Sequence, residues 1–360
     1  MKTVFPSSLF AAVFSTAVLA WLVTQPTQAA SVSYTLYMTE ANKTITIPLD
    51  SKTYTRTFWV EGFTNVSSGT PQIGGATLSA NEGDTLSITV YNQTQESHDF
   101  EINGSGVAKT TIAAGTSKTL SFSALAAGDY IYYDPSNTNR AVGMYGALVI
   151  YPAGQSAGAA GNLWAGGPAY KKDYTWVLSD MDKLWNSAHS KRIAPPAAYK
   201  ATYAFINGDF GSHSLKSLTN SPKVSMNDTI AIRIINPGMI AHPIHFHGYH
   251  GEVRAVNNVR QTVVQEKDVV DVGPMQSVDL IFHINQPGMY IIHDHTGMMV
   301  TQDGIYAEGM IAEFDACSKM TPATSSTALR ARCSCSGSRL KASGTAMVVS
   351  PPANGMSSIR

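Results

Sequence analysis

Residues 241–250 read Ala-His-Pro-Ile-His-Phe-His-Gly-Tyr-His, and no other stretch restricts the fold so tightly. Four of the ten histidines fall within nine residues here. Side chains at i and i+2 share a face only on a β-strand. As a strand, this segment would aim His245 and His247 in one direction, close enough to share a metal. A second run, Tyr290-Ile-Ile-His-Asp-His-Thr, repeats the spacing with His293 and His295. Polar residues on exposed strand faces would be the bland explanation. Two coincident pairs on apolar, strand-like runs favour a metal site instead, because neutral imidazole is the commonest metal ligand. Four imidazoles suit copper or zinc.

The rest of the chain follows the same period of two. Good strands in the first half are Ser33–Met38, Lys43–Pro48, Thr55–Val60, Thr85–Tyr91, Thr119–Ser123, Gly128–Tyr133 and Gly146–Tyr151. Turns such as Asn81-Glu-Gly-Asp84 and Asn103-Gly104 separate them. Residues 153–172, Gly/Ala-rich at their start, read as a linker. A second strand pattern then runs through Tyr174–Leu178, Ala204–Asn207, Thr229–Ile235, His242–Tyr249, Glu252–Val256, Ser277–Ile284, Met289–His293 and Gly309–Phe314. One short helical turn is expected at Asp182–Ala188. Short strands with regular turns predict β-sandwiches, one over residues 31–152 and one over 173–316.

The halves also echo one another. Asn81-Glu-Gly-Asp-Thr-Leu-Ser-Ile-Thr-Val-Tyr-Asn92 parallels Met226-Asn-Asp-Thr-Ile-Ala-Ile-Arg-Ile-Ile-Asn236, and each leads to a histidine, His98 and His242. Ala127-Gly-Asp-Tyr-Ile-Tyr-Tyr-Asp134 parallels Pro287-Gly-Met-Tyr-Ile-Ile-His-Asp294. A duplicated β-domain is the simple reading.

Charge narrows the function classes. The whole chain is formally neutral, which argues against a nucleic-acid partner. Residues 31–316, however, carry 18 basic against 25 acidic side chains, an excess that suits cations. Lys2, the 15-residue apolar run Leu9–Val23 and Thr27-Gln-Ala-Ala30 read as an export signal over residues 1–30. That run is shorter than the roughly 20 residues of a spanning helix. A secreted or periplasmic protein is therefore expected, with no membrane contact after cleavage. The three cysteines, Cys317, Cys333 and Cys335, all lie at or beyond the end of the strand pattern. No disulfide holds residues 31–316, and no thiolate is available there. Residues 317–360 lack periodicity and read as a disordered tail, in which Cys333 and Cys335 form a weak copper(I) candidate. Neither a phosphate loop nor a Ser-His-Asp or Cys-His nucleophile pattern is present.

Together, His242-Pro-Ile-His-Phe-His-Gly248 and His293-Asp-His295 resemble the multicopper oxidases, the laccase-like family of cupredoxin domains that also takes in copper nitrite reductases. The resemblance covers nearly all of 31–316 and is looser in the first half. It implies an all-β chain of two cupredoxin-like Greek-key β-sandwich or barrel domains with copper as cofactor. By position, His245, His247, His293 and His295 match ligands of the type 2 and type 3 coppers. His242 matches the histidine of the blue copper site.

The departures from the family pattern are large. Asp294 stands where the family has the blue-site cysteine, and Met299 where a histidine follows it. A blue site needs that thiolate beside two imidazoles. In the first domain, Glu101, Gly104, Tyr133 and Pro135 stand where ligands would, so residues 31–152 read as a shell without its metal. His98 with Glu101 reads as structural. His242 is a ligand or a residue that packs and hydrogen-bonds. His250 is a candidate extra ligand, although on a regular strand it lies three residues from His247 and faces the other way. Asp294 and Asp303 are candidates to orient an imidazole from outside the metal shell; solvent exposure and a turn are the alternatives. Met298 and Met299 read as packing residues before thioether ligands. His189, His213 and His283 lack partners in sequence.

The expected protein is thus an exported, two-domain copper binder with its centre in residues 173–316. As an enzyme it would be a copper-dependent oxidoreductase using oxygen and a small reductant, without ordinary laccase turnover. Copper handling without turnover is the second reading, and a partner-binding sandwich with residual histidines the third. The resemblance also implies a homotrimer.

Overall fold

The computed structural model describes residues 29–317 except 50, 51 and 124. The apolar run read as an export signal, Cys333 and Cys335 lie outside the described residues. The two Greek-key β-sandwiches expected from the sequence are both present. In the first, one sheet orders its strands as Lys52–Thr64, Ser31–Leu49, Thr85–Asn92 and Ser117–Ser123. The facing sheet runs Leu78–Asn81, Tyr145–Tyr151, Gly128–Tyr133, His98–Ile102 and Thr110–Ile112. Thr85–Asn92 shows why the pattern works: Leu86, Ile88, Val90 and Asn92 turn inward while Thr85 and Tyr91 stay exposed.

The second sandwich repeats this order. Its inner sheet contains Tyr203–Ile206, Lys172–Met181, Thr229–Asn236 and Gln276–His283, extended by the hairpin Gly251–Val256 and Val259–Lys267. Its other sheet runs Lys223–Ser225, Ile311–Cys317, Gly288–Asp294, His242–Phe246 and Val269–Val272. This reproduces strand for strand the second sheet of the first domain, down to the parallel pair at one edge. Trp176, Ile232, Ile234, Phe246, Leu280, Phe282, Ile292 and Phe314 fill its core.

Two sequence expectations change. Ser33–Met38 and Lys43–Pro48 are one strand, because Thr39, Glu40, Ala41 and Asn42 pair without interruption with Gly62, Glu61, Val60 and Trp59. The resulting long hairpin reaches over the second domain, burying Ile45, Ile47, Phe58 and Val60 against Met181, Tyr203, Phe205 and Phe210. The segment read as a linker is docked. Gly161–Asn162 pairs with Ala169–Tyr170, and Leu163 and Tyr170 pack on Ala231 and Ile281. The helical turn is the helix Lys183–Ser190, started by Asp182, whose Oδ1 accepts from the Leu184 N–H at 2.7 Å.

The domains join through Ile131, Tyr145, Val149 and Tyr151 packed on Val177 and Ile235. This explains why Thr229–Asn236 is apolar on both faces. Within the boundary lies Arg233, fully buried. Its guanidinium reaches Asp279 at 3.2 Å, Asp173 at 3.3 Å and Asp129 of the first domain at 3.5 Å.

Candidate metal centre

Strands His242–Phe246 and Gly288–Asp294 lie side by side, antiparallel, in a register that pairs His245 with His293. The ladder continues beyond them: the His247 N–H donates to the Ile291 carbonyl at 3.0 Å, and the His295 N–H to that of Pro243 at 2.7 Å. Alternation sends Ile244, Phe246, Ile292 and Asp294 into the core, so their neighbours share the outer face. Four imidazoles meet there. Ring centroids of His245 stand 4.5 Å from His247, 5.6 Å from His293 and 5.2 Å from His295. His293 lies 5.2 Å from His247 and 5.9 Å from His295.

Backbone carbonyls set two of the tautomers. His245 Nδ1 lies 3.1 Å from the Asp268 carbonyl, and His293 Nδ1 lies 2.9 Å from that of Asp294. A carbonyl only accepts, so both Nδ1 atoms carry the proton and both Nε2 atoms are left as acceptors, that of His293 toward His247. The Nε2 atoms of His247 and His293 are 3.1 Å apart. Two nitrogens bound to one metal at about 2.0–2.1 Å, at angles between square and tetrahedral, would stand about 2.9–3.4 Å apart. The pair therefore has the spacing of two ligands on one ion. Burial, followed by the charges of His245, His293 and His295, holds His247 below the usual imidazole range, which favours the neutral ring. Among the described residues no group of three or more His, Cys, Asp or Glu side chains is placed as it stands to hold a metal ion. The rings gather, one pair at ligand spacing, and the other two must turn to complete a shell.

Gly248 ends the strand. Its φ of +72° and a would-be Cβ only 2.2 Å from the Tyr290 ring admit no other residue without movement. His250, also exposed, lies beyond this turn. On the same outer face, Met289 and Ile291 continue the row of His293 and His295, both exposed.

The remaining candidates lie elsewhere. His242 points inward, three residues from His245, and both of its nitrogens are engaged: Nδ1 by Asp294 at 2.6 Å and Nε2 by Asp180 at 3.3 Å. Burial draws this imidazole down, but the bonds to Asp180 and Asp294 prevail and raise it to about 9. The carboxylate of Asp294 thus orients His242, and it is the Asp294 carbonyl that holds a ring of the cluster. Asp303 is tied to Arg56 at 2.8 Å and Lys183 at 2.7 Å, which together hold its carboxyl below the usual range against burial. Met299 is buried and Met298 exposed.

His98 is structural, but its partners are not Glu101, which instead accepts from the Tyr133 hydroxyl. His98 Nδ1 lies 3.0 Å from Asp134, and Nε2 lies 2.8 Å from Glu61. His189, read as a residue without partners, sits on the helix Lys183–Ser190 and contacts the other oxygen of Glu61. Sequence reasoning missed Glu61, Asp134, Asp180 and Tyr199. For Asp134 a signal existed, since the internal repeat aligns it with Asp294.

Two multicopper oxidase family models match, one over residues 62–155 and the other over 191–313. A copper-containing nitrite reductase of Neisseria gonorrhoeae is 25% identical over 250 residues, covering 62% of this chain and 57% of its own. Laccase-25 of Oryza sativa subsp. japonica is 29% identical over 233 residues, covering 58% and 38%. The chain therefore spans well under two thirds of the length of these relatives. Among solved structures, the multicopper oxidase mgLAC superposes with a TM-score of 0.63 at 22% identity, over 80% of this chain and 86% of that one. A blue copper oxidase from Nitrosomonas europaea gives 0.62 at 22%, over 79% and 86%. At such identities these likenesses speak for the two-cupredoxin fold alone.

Proposed function

The chain belongs to the multicopper oxidase superfamily, and from that premise we propose that it is an exported copper protein whose copper sits on the open face of its second domain, held by His245, His247, His293 and His295. The observation that carries this reading is the pinned tautomer. Carbonyls at Asp268 and Asp294 hold His245 and His293 with Nε2 outward, and the Nε2 of His247 stands at ligand spacing from that of His293. Such outer hydrogen bonds are what fix the tautomer and orientation of a metal-bound imidazole. Copper there would supply one-electron chemistry toward oxygen or a small reductant. The chain's own contribution is to gather four imidazoles on one face and to leave that face open. No cysteine occurs in residues 31–316, so a thiolate-bound blue copper has no ligand in either sandwich. Exposed Ile291 and Met289 beside the cluster support a subunit boundary over this face, in keeping with a homotrimer.

Copper handling without turnover is the second reading. It is favoured by His242, whose nitrogens are both committed to carboxylates, so the domain has no further inward imidazole to extend the site. Metal analysis and electron paramagnetic resonance of the purified protein, beside a His245→Ala/His293→Ala variant, test both. The expected outcome is bound copper with nitrogen hyperfine structure and no intense blue absorption, with affinity weakened at least tenfold in the variant. Equal, low copper in both proteins defeats the metal assignment. A silent oxidase assay on the loaded protein selects handling over catalysis.

A further inference from the structure

Three strands of the first domain, Ser31–Leu49, Thr85–Asn92 and Ser117–Ser123, turn their apolar side to the core and a polar side outward. At residues 31–37, 85–91 and 117–123 every outward position is Ser, Thr or Tyr, and none is charged. Pairing sets these positions in rows: Ser33 beside Ser87 and Ser87 beside Ser121, then Thr35 beside Thr89 and Thr89 beside Thr119. Hydroxyls thus recur about every 4.8 Å across the strands and about every 6.7 Å along them. In the next row Tyr37 and Tyr91 stack with ring centroids 5.3 Å apart, and Tyr91 is 41% exposed. The internal repeat makes the contrast plain. Asn92 aligns with Asn236, which sets Ser87, Thr89 and Tyr91 against Ala231, Arg233 and Ile235. Those three are covered, Ala231 by Leu163 and Tyr170, Arg233 by Asp129, and Ile235 by the first domain. The matching face of the first domain carries hydroxyls instead and stays open.

We propose that this hydroxyl face is a docking surface for a single chain of a neutral polysaccharide, independent of the metal face. Four arguments lead there. First, the rows hold no cation to receive a phosphate or carboxylate and no carboxylate to receive a cation, so the fitting partner is uncharged. Second, a hydroxyl donates once and accepts twice. Thr89 and Thr119 join their hydroxyls at 2.9 Å, and Ser121 donates to Ser87 at 3.4 Å, so even the bonded pairs keep acceptor capacity. A protein surface laid over these rows would strand hydroxyls away from water, which costs free energy. A sugar chain brings hydroxyls of its own to replace that water. Third, the stacked Tyr37 and Tyr91 offer ring faces to the apolar side of a pyranose, with phenolic oxygens at the rim. Fourth, neighbouring strands are rotated by roughly 20–25°. A flexible single chain follows such a twisted surface, and a planar crystal face does not.

The test is electrophoresis of the whole protein in native gels containing hydroxyethylcellulose or galactomannan. Retardation that grows with the concentration of at least one neutral polymer is expected, with weaker retardation in carboxymethylcellulose, which adds charge to the same backbone as hydroxyethylcellulose. Tyr91→Ala should weaken binding about two- to tenfold. Thr35→Lys/Thr119→Lys places charges at two exposed positions of one row and should abolish it. His245→Ala/His293→Ala should be retarded as wild type is. Wild type that runs unretarded in both neutral gels overturns the proposal, as does retardation unchanged in both Tyr91→Ala and Thr35→Lys/Thr119→Lys. Loss of retardation in His245→Ala/His293→Ala would move the binding to the metal face and equally overturn it. Light scattering covers the remaining occupant: an oligomer that Thr35→Lys/Thr119→Lys dissociates would mean that a second copy of the chain covers this face, and the polysaccharide assignment would fall.

Discussion

At His98, burial alone would pull the imidazole down, but the hydrogen bond to Asp134 and the close contact with Glu61 override it and lift the group to about 9. A folded value above the unfolded one contributes stability in full below the unfolded value, 6.5 here. That stability is withdrawn as pH rises through about 9. Each pKa unit is worth about 1.4 kcal/mol, so His98 should contribute on the order of 3 kcal/mol at low pH and little above its folded value. His242 adds a second such contribution. Urea unfolding from roughly pH 6 to pH 10 should therefore show falling stability, and His98→Gln should remove roughly half of the slope. A slope unchanged by that substitution would contradict the assignment. His242 also shows what was legible at this scale. Its separation from His245 is odd, and strand alternation alone places it on the other face from the pair. The family resemblance pointed to a ligand instead. Its carboxylate partner Asp180 lies 62 residues away, beyond the reach of any local pattern.

The proposed metal face is made by an element rather than by single residues. A strand pair in register sets four rings on one side, and Gly248 lets the chain leave that strand without a Cβ against Tyr290. Gly248→Ala forces an L-residue to φ +72°, a cost of about 1–2 kcal/mol before the contact with Tyr290 is counted. Its neighbour is His247, so copper affinity should fall together with the melting temperature; a fall in melting temperature alone would detach His247 from the site. The long hairpin makes a separate claim. Phe58 is buried against Tyr203 with stacked rings 4.6 Å apart, whereas Arg56 is partly exposed. Phe58→Ala should cost about 3–5 kcal/mol and Arg56→Ala at most about 1 kcal/mol, measured by chemical denaturation. The reverse order would mean that the hairpin is held by its ion pair. The strands of this hairpin were readable from alternation, but their length was not. Nothing in Thr39-Glu-Ala-Asn42 marks a turn, and only pairing with the partner strand extends it.

Across the whole molecule, the domain boundary gathers one cation and three carboxylates. Arg233 faces Asp173, Asp279 and, across the boundary, Asp129. Burial first, then the charge of Asp279, raises Asp129 well above the usual carboxylate range. A group raised in this way holds its stabilising, protonated form only below its folded value and loses it as pH rises through that value. Asp129→Asn should therefore raise the unfolding midpoint at alkaline pH, while Arg233→Met, which strands the remaining carboxylates, should cost about 3–5 kcal/mol. Calorimetry of the two variants checks the opposite signs. The duplication was plain in the sequence, because Ala127–Asp134 and Pro287–Asp294 carry their turn glycine and terminal aspartate at equal spacing. What filled the gap left by the cysteine was not plain, since Glu61 and Asp180 reach their histidines only through the tertiary fold. That replacement has a consequence for the life history of the protein. Where the family pattern has a thiolate, the second sandwich closes around Asp294 and His242, and the first holds the same pair in Asp134 and His98, each histidine raised to about 9. Under the proposed function, assembly would thereby be uncoupled from metallation: the polypeptide could mature empty, wait for scarce metal and be stripped of it again while its architecture stays intact.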